Sequence, residues 1–394
     1  MKTKIPKGKT LYAVKYRIYP DDSQANFFMR TFGCCRKYWN LALEDRNKQY
    51  EIKRSLPEDE KEAFEIKTKT PAYFKNDYPY MKEVDSLALA NVQIALNKAF
   101  SDFFKGNKNI PRKKKKSLKF SYTTNNQDGS VEIIDNKYLS VPKLKTNVRI
   151  KIHRVIDGII RSVTISKEPS GKWYASILFL INHDTRQPSK TKKAVGIDFG
   201  LKQFITDSYG NTADSVRFFR DAEKKLAREK RKLSRRCLAA KARGVKLYES
   251  KNYQKQRIKV AKMEEKIRNQ RKDFLHKLSR KYVNEYDIIG IEDLNIKGMT
   301  KNHHLSKAVQ DAGWYSFTVM LQYKAAREGK EIIKVSRWFP STQTCSECGS
   351  VLSKENKLTL KDRDWTCPQC GAHHDRDINA AINIKNEAIC LCTA

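Results

Sequence analysis

Apolar and polar residues alternate over residues 10–19, LYAVKYRIYP, which predicts a β-strand ending on a proline. From residue 21 to about 105 the period changes to three and four. DDSQANFFMRTFGCCRKYWNLALEDRNKQY opens with acidic and Ser capping residues, and SLALANVQIALNKAFSDFF repeats the helical spacing until Gly106. Between 118 and 182 the alternation returns. KFSYTT, SVEIID, KYLSVP, VRIKIH, IIRSVTIS and KWYASILFLI are short runs separated by turn residues. With the first strand they make about seven, enough for a small barrel, interrupted after its first strand by a helical insertion. PRKKKK at 111–116 reads as a basic linker able to hold phosphates, and NHDTRQPSKTKK at 182–193 as a second linker.

The second half mixes the two periods. AVGIDFG and QFITDSYG predict a strand pair, and a basic helical stretch follows from about 218 to 285. ARGVKLYESKNY breaks that stretch, so it reads as a helical hairpin. Val260, Met263, Ile267, Phe274, Leu278 and Tyr282 form its apolar stripe, and its Lys/Arg face is expected to touch nucleic acid. YDIIGIE is a buried strand, 305–328 a helix around Trp314, Phe317 and Leu321, and EIIKVS a further strand. Strands interleaved with helices imply an α/β sheet. No internal repeat is present.

A chain of 394 residues suggests two to four domains. Lys and Arg number 80 against 44 Asp and Glu, a formal charge of +36. Such a surface repels itself unless a polyanion neutralises it, and nucleic acid is that polyanion. Charge alone would equally suit a ribosomal or chromatin-type binder with no chemistry. No apolar run reaches spanning length and no secretory segment opens the chain, so no membrane role is expected. The nine cysteines point to a reducing, cytoplasmic compartment. Cys34, Cys35, Cys237, Cys390 and Cys392 follow no ligand pattern and read as reduced thiols.

The other four cysteines are paired. Cys345-Ser-Glu-Cys348 and Cys367-Pro-Gln-Cys370 lie eighteen residues apart, each followed by a glycine. Two C-x-x-C turns supply four thiolates, which close a tetrahedral shell around structural Zn²⁺ and leave no open position. His373 and His374 read as surface residues, at most spare ligands. Three carboxylates form the second constellation. Asp198 ends the strand of AVGIDFG, Glu292 ends that of DIIGIEDLN, and Asp377 starts the helix of HDRDINAAINI. Converging from separate segments, they can hold Mg²⁺ or Mn²⁺ for phosphodiester hydrolysis. Each alone has another reading. GIDFG also opens the phosphate hairpin of actin-like ATPases, IEDLN can be a helix cap, and DRD a capping turn.

GIDFG, IIGIEDLNIKGM, STQTCSECG, CPQCGAHHDRDINAAINI and the W-x-x-F-x-x-x-L-x-Y-K-A helix at 314–325 together resemble the TnpB family. Its members are transposon-encoded RNA-guided endonucleases related to compact type V CRISPR effectors. The motifs cover the second half densely. The first half matches in layout only.

The resemblance implies a multidomain α/β protein. An RNase H-like RuvC nuclease domain with a zinc ribbon insertion would follow a β-barrel, the wedge, carrying an inserted helical recognition domain. The segments would be 1–20 and 118–190 for the wedge and 21–117 for recognition. The nuclease would take 191–340 and 375–394, and the ribbon 341–374. Asp198, Glu292 and Asp377 would be catalytic, with Asp375 the alternative third acid. No catalytic position departs from the family pattern. The partners would be a guide RNA from the transposon end and target double-stranded DNA, selected by base pairing beside a short flanking motif. Readers of that motif are expected near Asn91, Tyr122 and Thr123. Three rivals remain at this stage. They are a non-catalytic zinc-ribbon transposition regulator, an actin-class ATPase (for which no second phosphate loop is found) and a DNA-joining transposase using the same acids.

Overall fold

The computed structural model describes residues 6, 8–117, 120–182, 193–200, 203–214, 218–299, 313–353, 355–359 and 361–393, with backbone alone at 218–221 and 296–297. The chain forms two units, Met1–His183 and Asp184–Ala394. The linker expected at 182–193 lies almost wholly outside the described residues.

In the first unit, strand β1 (Lys9–Tyr19) turns Val14, Tyr16 and Ile18 inward and the residues between them outward. Six more strands follow later in the chain: β2 (Phe120–Asn125), β3 (Glu132–Ile134), β4 (Tyr138–Ser140), β5 (Val148–Lys151), β6 (Ile159–Lys167) and β7 (Trp173–Asn182). They pair antiparallel in the order β2-β6-β7-β1-β5-β4-β3, and among the described residues β2 and β3 stay at the edges, so no strand pairing closes the expected barrel. Four helices intervene between β1 and β2: α1 (Asp22–Ser55), α2 (Glu58–Ala63), α3 (Pro71–Asp77) and α4 (Ser86–Phe104). Helix α1 starts at a reciprocal cap, in which Asp21 Oδ1 accepts from Gln24 N and Gln24 Oε1 accepts from Asp21 N. Its apolar face buries Phe28, Phe32, Tyr38 and Leu43 in one core with Tyr122 and Trp173 of the sheet. Phe32 and Tyr122 meet with ring centroids 5.6 Å apart. Each such side chain contributes about 1.5–3 kcal/mol on burial.

The basic run at 111–116 is not a free linker. Trp39 Nε1 donates to Arg112 O at 3.0 Å, Asn40 exchanges two hydrogen bonds with the Lys114 backbone, and Lys114 Nζ sits 3.7 Å above the Trp39 ring. The segment is docked along α1.

In the second unit, β8 (Ala194–Phe199), β9 (Gln203–Asp207), β10 (Thr212–Asp214), β11 (Ile288–Glu292) and β12 (Glu331–Val335) form a sheet in the order β10-β9-β8-β11-β12. Strands β8, β11 and β12 are parallel, and β9 and β10 run antiparallel to them. A helical hairpin, α5 (Phe218–Ala242) and α6 (Lys251–Glu285), separates β10 from β11. Helices α7 (Ile296–Met299) and α8 (Trp314–Arg327) follow β11, and α9 (Arg376–Thr393) closes the described chain. The start expected for α8, at 305–312, lies outside the described residues. On α6 the buried line is Val260, Leu275, Tyr282 and Val283, with Met263, Ile267, Phe274 and Leu278 half-buried. The stripe drifts because the rear half of α6 faces Phe317 and Leu321 of α8 in the sheet core.

The two faces of this sheet differ because strand side chains alternate. Val195 and Ile197 of β8 and Ile289 and Ile291 of β11 share a core with α6 and α8. Between them stand Gly196 and Gly290, cross-strand partners. Helix α9 lies on these glycines. A Cβ on Gly196 would fall 2.0 Å from Ala381 O, and one on Gly290 would fall 2.7 Å from Ala388 Cβ. Only glycine lets the helix approach so closely, and Ala380, Ala381 and Ala388 are its small, fully buried counterpart.

Candidate active site and metal centre

Asp198 lies one residue beyond Ile197, and Glu292 one residue beyond Ile291, which is paired with Ile197 on the neighbouring strand. Both acids therefore leave the sheet at the same carboxyl-terminal edge. Asp377 arrives there from the first turn of α9. Burial pushes the Asp198 carboxyl up to about 7, with Glu292 and Asp377 adding repulsion. Burial also raises Glu292, against a hydrogen bond from Ser341 Oγ to Glu292 Oε1 at 3.0 Å. Asp377 is held by two arginines. Buried Arg376 donates to its Oδ1 at 3.0 Å, and the more exposed Arg363 pairs with its Oδ2. Asp198 thus feels the other two acids, but the three do not form the tight group seen at the cysteines. A cleft of about 270 Å³ opens beside Glu292, lined among others by Phe199, Trp314, Tyr315, Lys334 and Arg337.

Asp375 does different work. It is exposed, and its Oδ1 accepts from the backbone N–H of Asp377 and of Ile378, both at 2.9 Å. It caps α9. The charges that raise Asp198 come from Glu292 and Asp377.

The four paired cysteines meet. Their sulfurs all lie within 4.8 Å of one another, and no other such ligand group exists among the described residues. Gly349 N–H and Gly371 N–H return to the Cys345 and Cys367 carbonyls at 2.9 Å, closing the two turns. The Ser350 hydroxyl, 3.1 Å from Cys348 Sγ and 3.4 Å from Cys367 Sγ, lowers both thiols, Cys367 to about 6. Those two thiols are thereby inclined to the thiolate form that a soft metal takes. A short hairpin, β13 (Asp364–Thr366) with β14 (His373–Asp375), frames the second pair and runs directly into α9. Cys34, Cys35, Cys237, Cys390 and Cys392 are free thiols outside this group.

His374 is a correction to the surface reading. It is buried, its Nε2 lies 3.1 Å from Cys345 Sγ, and its ring packs on Trp365 at 4.8 Å. The strand alternation of β14 turns it inward while exposed His373 faces out.

Asn91, Tyr122 and Thr123 also come together, but as internal contacts of the first unit. Asn91 Nδ2 donates to Thr123 O at 2.9 Å, and Thr123 Oγ1 meets Thr164 Oγ1 at 2.8 Å. Tyr122 is a core residue against Phe28 and Phe32, so its ring is not presented to a base.

Sequence reasoning missed Ser341, Arg363, Arg376, Asn379 and Asn383. The two asparagines, four apart on α9 and buried, bind the backbone just ahead of the first cysteine pair. Asn379 Nδ2 donates to Thr344 O at 2.7 Å, and Asn383 Nδ2 donates to Ser341 O at 2.8 Å. Their spacing on the alanine face was the available signal.

Residues 314–384 match the family described as "Cas12f1-like, TNB domain", 176–303 "Probable transposase" of the IS605 OrfB type, and 10–54 "Helix-turn-helix domain". Over 10–54 the structure holds one strand and one long helix. A protein of Streptomyces pristinaespiralis, named "Putative RNA-guided DNA endonuclease", is 37% identical over 377 residues, 94% of this chain and 88% of its own length. The InsQ protein of Escherichia coli (strain K12), named likewise, is 29% identical over 98% of this chain and 94% of its own. A TnpB-like protein of Acanthamoeba polyphaga mimivirus is 27% identical over 60% of this chain and 45% of its own. Among solved structures, the Cas12f1 chain in a complex with sgRNA and target DNA aligns with a TM-score of 0.57 at 13% identity. It covers 96% of this chain and 99% of its own, a likeness of fold. Motifs, fold and near-full-length relatives agree: the chain belongs to the TnpB family of IS605-type transposon proteins.

Proposed function

We propose that the protein is an RNA-guided DNA endonuclease whose reaction centre is Asp198, Glu292 and Asp377. The observation that carries this reading is the approach of three acids from distant segments to one sheet edge, where burial first, and then Glu292 and Asp377, raise the Asp198 carboxyl. In this reading 191–340 and 375–394 form an RNase H-like RuvC nuclease with the ribbon at 341–374. Residues 1–20 and 118–190 form the wedge, and 21–117 the recognition domain.

The donor set suits hard divalent cations: carboxylates gathered at one sheet edge repel until a cation neutralises them. Asp198, Glu292 and Asp377 would hold Mg²⁺ or Mn²⁺, which in pairs stabilise the attacking and leaving oxygens of a phosphodiester. The chain's own residues supply the order. Ser341 fixes Glu292, Arg376 fixes Asp377, and Asp198 is the acid poised to exchange a proton near neutral pH. Cys345, Cys348, Cys367 and Cys370 would hold Zn²⁺ in a closed, structural shell.

The guide would come from the transposon end, and pairing with it would select target DNA beside a short flanking motif. Basic faces of α5 and α6 would carry phosphates. Asn91 of α4 and Thr123 of β2 stay candidate readers of the motif, with Tyr122 positioning β2 from the core.

The test is to sequence the RNA that copurifies with the protein and supply plasmids matching it beside randomised flanks, with Mg²⁺. Wild type should cut, and Asp198→Ala should fall to background while RNA binding is unchanged. A variant that cuts at nearly the wild-type rate overturns the catalytic assignment. A wild type that binds RNA and cuts nothing favours the regulator.

A further inference from the structure

The outward face of the first unit's sheet carries an alternating row of cations and rings. Lys15, Arg17 and Tyr19 share the outer side of β1, between inward Val14, Tyr16 and Ile18. Across the strands, Arg17 is partnered by Tyr174, Tyr19 by Arg149, and Arg149 in turn by Tyr138. Lys15 Nζ lies 4.3 Å from the Tyr174 centroid. Arg17 lies 5.1 Å from Tyr174 and 5.3 Å from Tyr19, and Arg149 lies 6.0 Å from Tyr19.

At the end of this row an open cleft of about 780 Å³ is lined by Tyr19, Lys137, Tyr138, Arg149, Ile150 and Lys151. Its two rings are 48% and 43% exposed, while the side chain of Ile150, cross-strand partner of inward Ile18, belongs to the core on the other side of the sheet. Among the described residues Lys15 has Glu168 as an acidic partner, whereas Lys137, Arg149 and Lys151 have none. Two half-exposed rings beside three unneutralised cations are what a single strand of nucleic acid requires. Bases stack on the rings, and phosphates meet the cations. A duplex keeps its bases stacked inside and cannot use the rings.

We propose that this face of β1, β5 and β4 is a stacking site for unpaired guide-RNA bases. Tyr19 and Tyr138 receive the bases, and Lys137, Arg149 and Lys151 hold the flanking phosphates. The proposal rests on the guide-RNA reading above and adds to it where unpaired nucleotides sit. It commits to RNA because the guide is the single strand resident on the protein before any target is met.

The probe is a labelled single-stranded 12-nucleotide RNA containing 4-thiouridine, mixed with full-length protein freed of RNA. Photo-crosslinking and mass spectrometry should map adducts to the peptides holding Tyr19 and Tyr138. In anisotropy titrations, Tyr19→Ala with Tyr138→Ala should bind about tenfold more weakly with the same salt slope, because stacking releases no counterions. The Tyr19→Phe and Tyr138→Phe pair should bind like wild type. It keeps the experiment decisive should the alanine pair fail to fold. Arg149→Gln should lower the salt slope. RNA duplex should not compete, and DNA of the same sequence should crosslink less.

Adducts that avoid both peptides, unchanged affinity in a folded alanine pair, or equal crosslinking of DNA overturns the proposal while the guide-RNA reading stands. A wild type that binds no RNA overturns both.

Discussion

The second unit holds two constellations that could bind metal, and they are assembled in opposite ways. The four cysteines fall within a short stretch, each pair made by a tight turn of four residues, and their sulfurs gather to within 4.8 Å. The three acids are scattered over nearly half the chain and meet only because β8, β11 and α9 pack together. Local turns can build a soft site almost unaided. A site for hard cations needs the whole sheet to hold mutually repelling charges in place. The first should therefore be sensitive to its ligands, the second to packing well away from them.

The sharpest way to break this contrast is at the join. Strand β14 runs into α9, so Cys348→Ser should disturb both sites. Loss of one ligand from a closed shell loosens the ribbon. Asp375, which caps α9 from the hairpin, then loses its footing. Displacement of a catalytic group on the order of 1 Å can cost about a hundredfold in rate. Metal analysis should find zinc in wild type and little in the variant. Cleavage should fall about a hundredfold, without rescue by excess Mg²⁺. Wild type carefully prepared and free of zinc would sink the ribbon assignment.

Next in size is Gly196→Ala, which touches no acid. Its Cβ would meet backbone atoms of Ala381 and Lys385 at 2.0 and 2.5 Å, so α9 must lift off the sheet. Overpacking of this kind costs about 1–3 kcal/mol, occasionally more, and a backbone clash belongs at the upper end. The melting temperature should drop and cleavage with it, while zinc content stays. If stability and cleavage both match wild type, the glycine seat for α9 is wrong.

The smallest effect concerns pH. The folded Asp198 carboxyl sits at about 7, above its ordinary value of 3.8. Raised in the fold, it contributes stability that is complete below the ordinary carboxylate range and lost as pH rises through about 7. Metal-free protein should thus lose melting temperature between pH 5 and 8, by a few degrees. Asp198→Asn should flatten that part of the curve. Mn²⁺ binds the charged form, so it should raise the wild-type melting temperature more at pH 8 than at pH 6 and move the variant little. Equal pH profiles for the two metal-free proteins would remove the argument from burial and repulsion.

Much of the architecture was legible because its signals are local. The alternation of LYAVKYRIYP, the period of SLALANVQIALNKAF and the break at ARGVKLYESKNY each report a property of a few neighbouring residues. About seven strands were expected in the first unit, and its described residues form seven. The docking of the 111–116 run was not legible, because it depends on Trp39 and Asn40, some seventy positions away. Nor was the drift of the α6 stripe, since helical period says which residues share a face and not which neighbour will cover it. Tyr122 shows the same limit: a tyrosine on an alternating strand can point to either side, and the aromatic side chains of α1 decide that it points in.

By itself, then, the sequence determined the cysteine turns, the basic character and most element types, and it nominated three candidate acids, since composition and short spacing suffice for each. The tertiary structure alone decided that Gly196 lies beside Gly290 as the seat of α9. It set Asp375 to cap that helix while Asp377 reaches the sheet edge, and it placed His374 against Cys345. It also brought Tyr19, Arg149 and Tyr138 into one row from three strands. These are relations between residues far apart in the chain. They come into being only when strand pairing and helix packing select one register from many, and no local pattern encodes that choice.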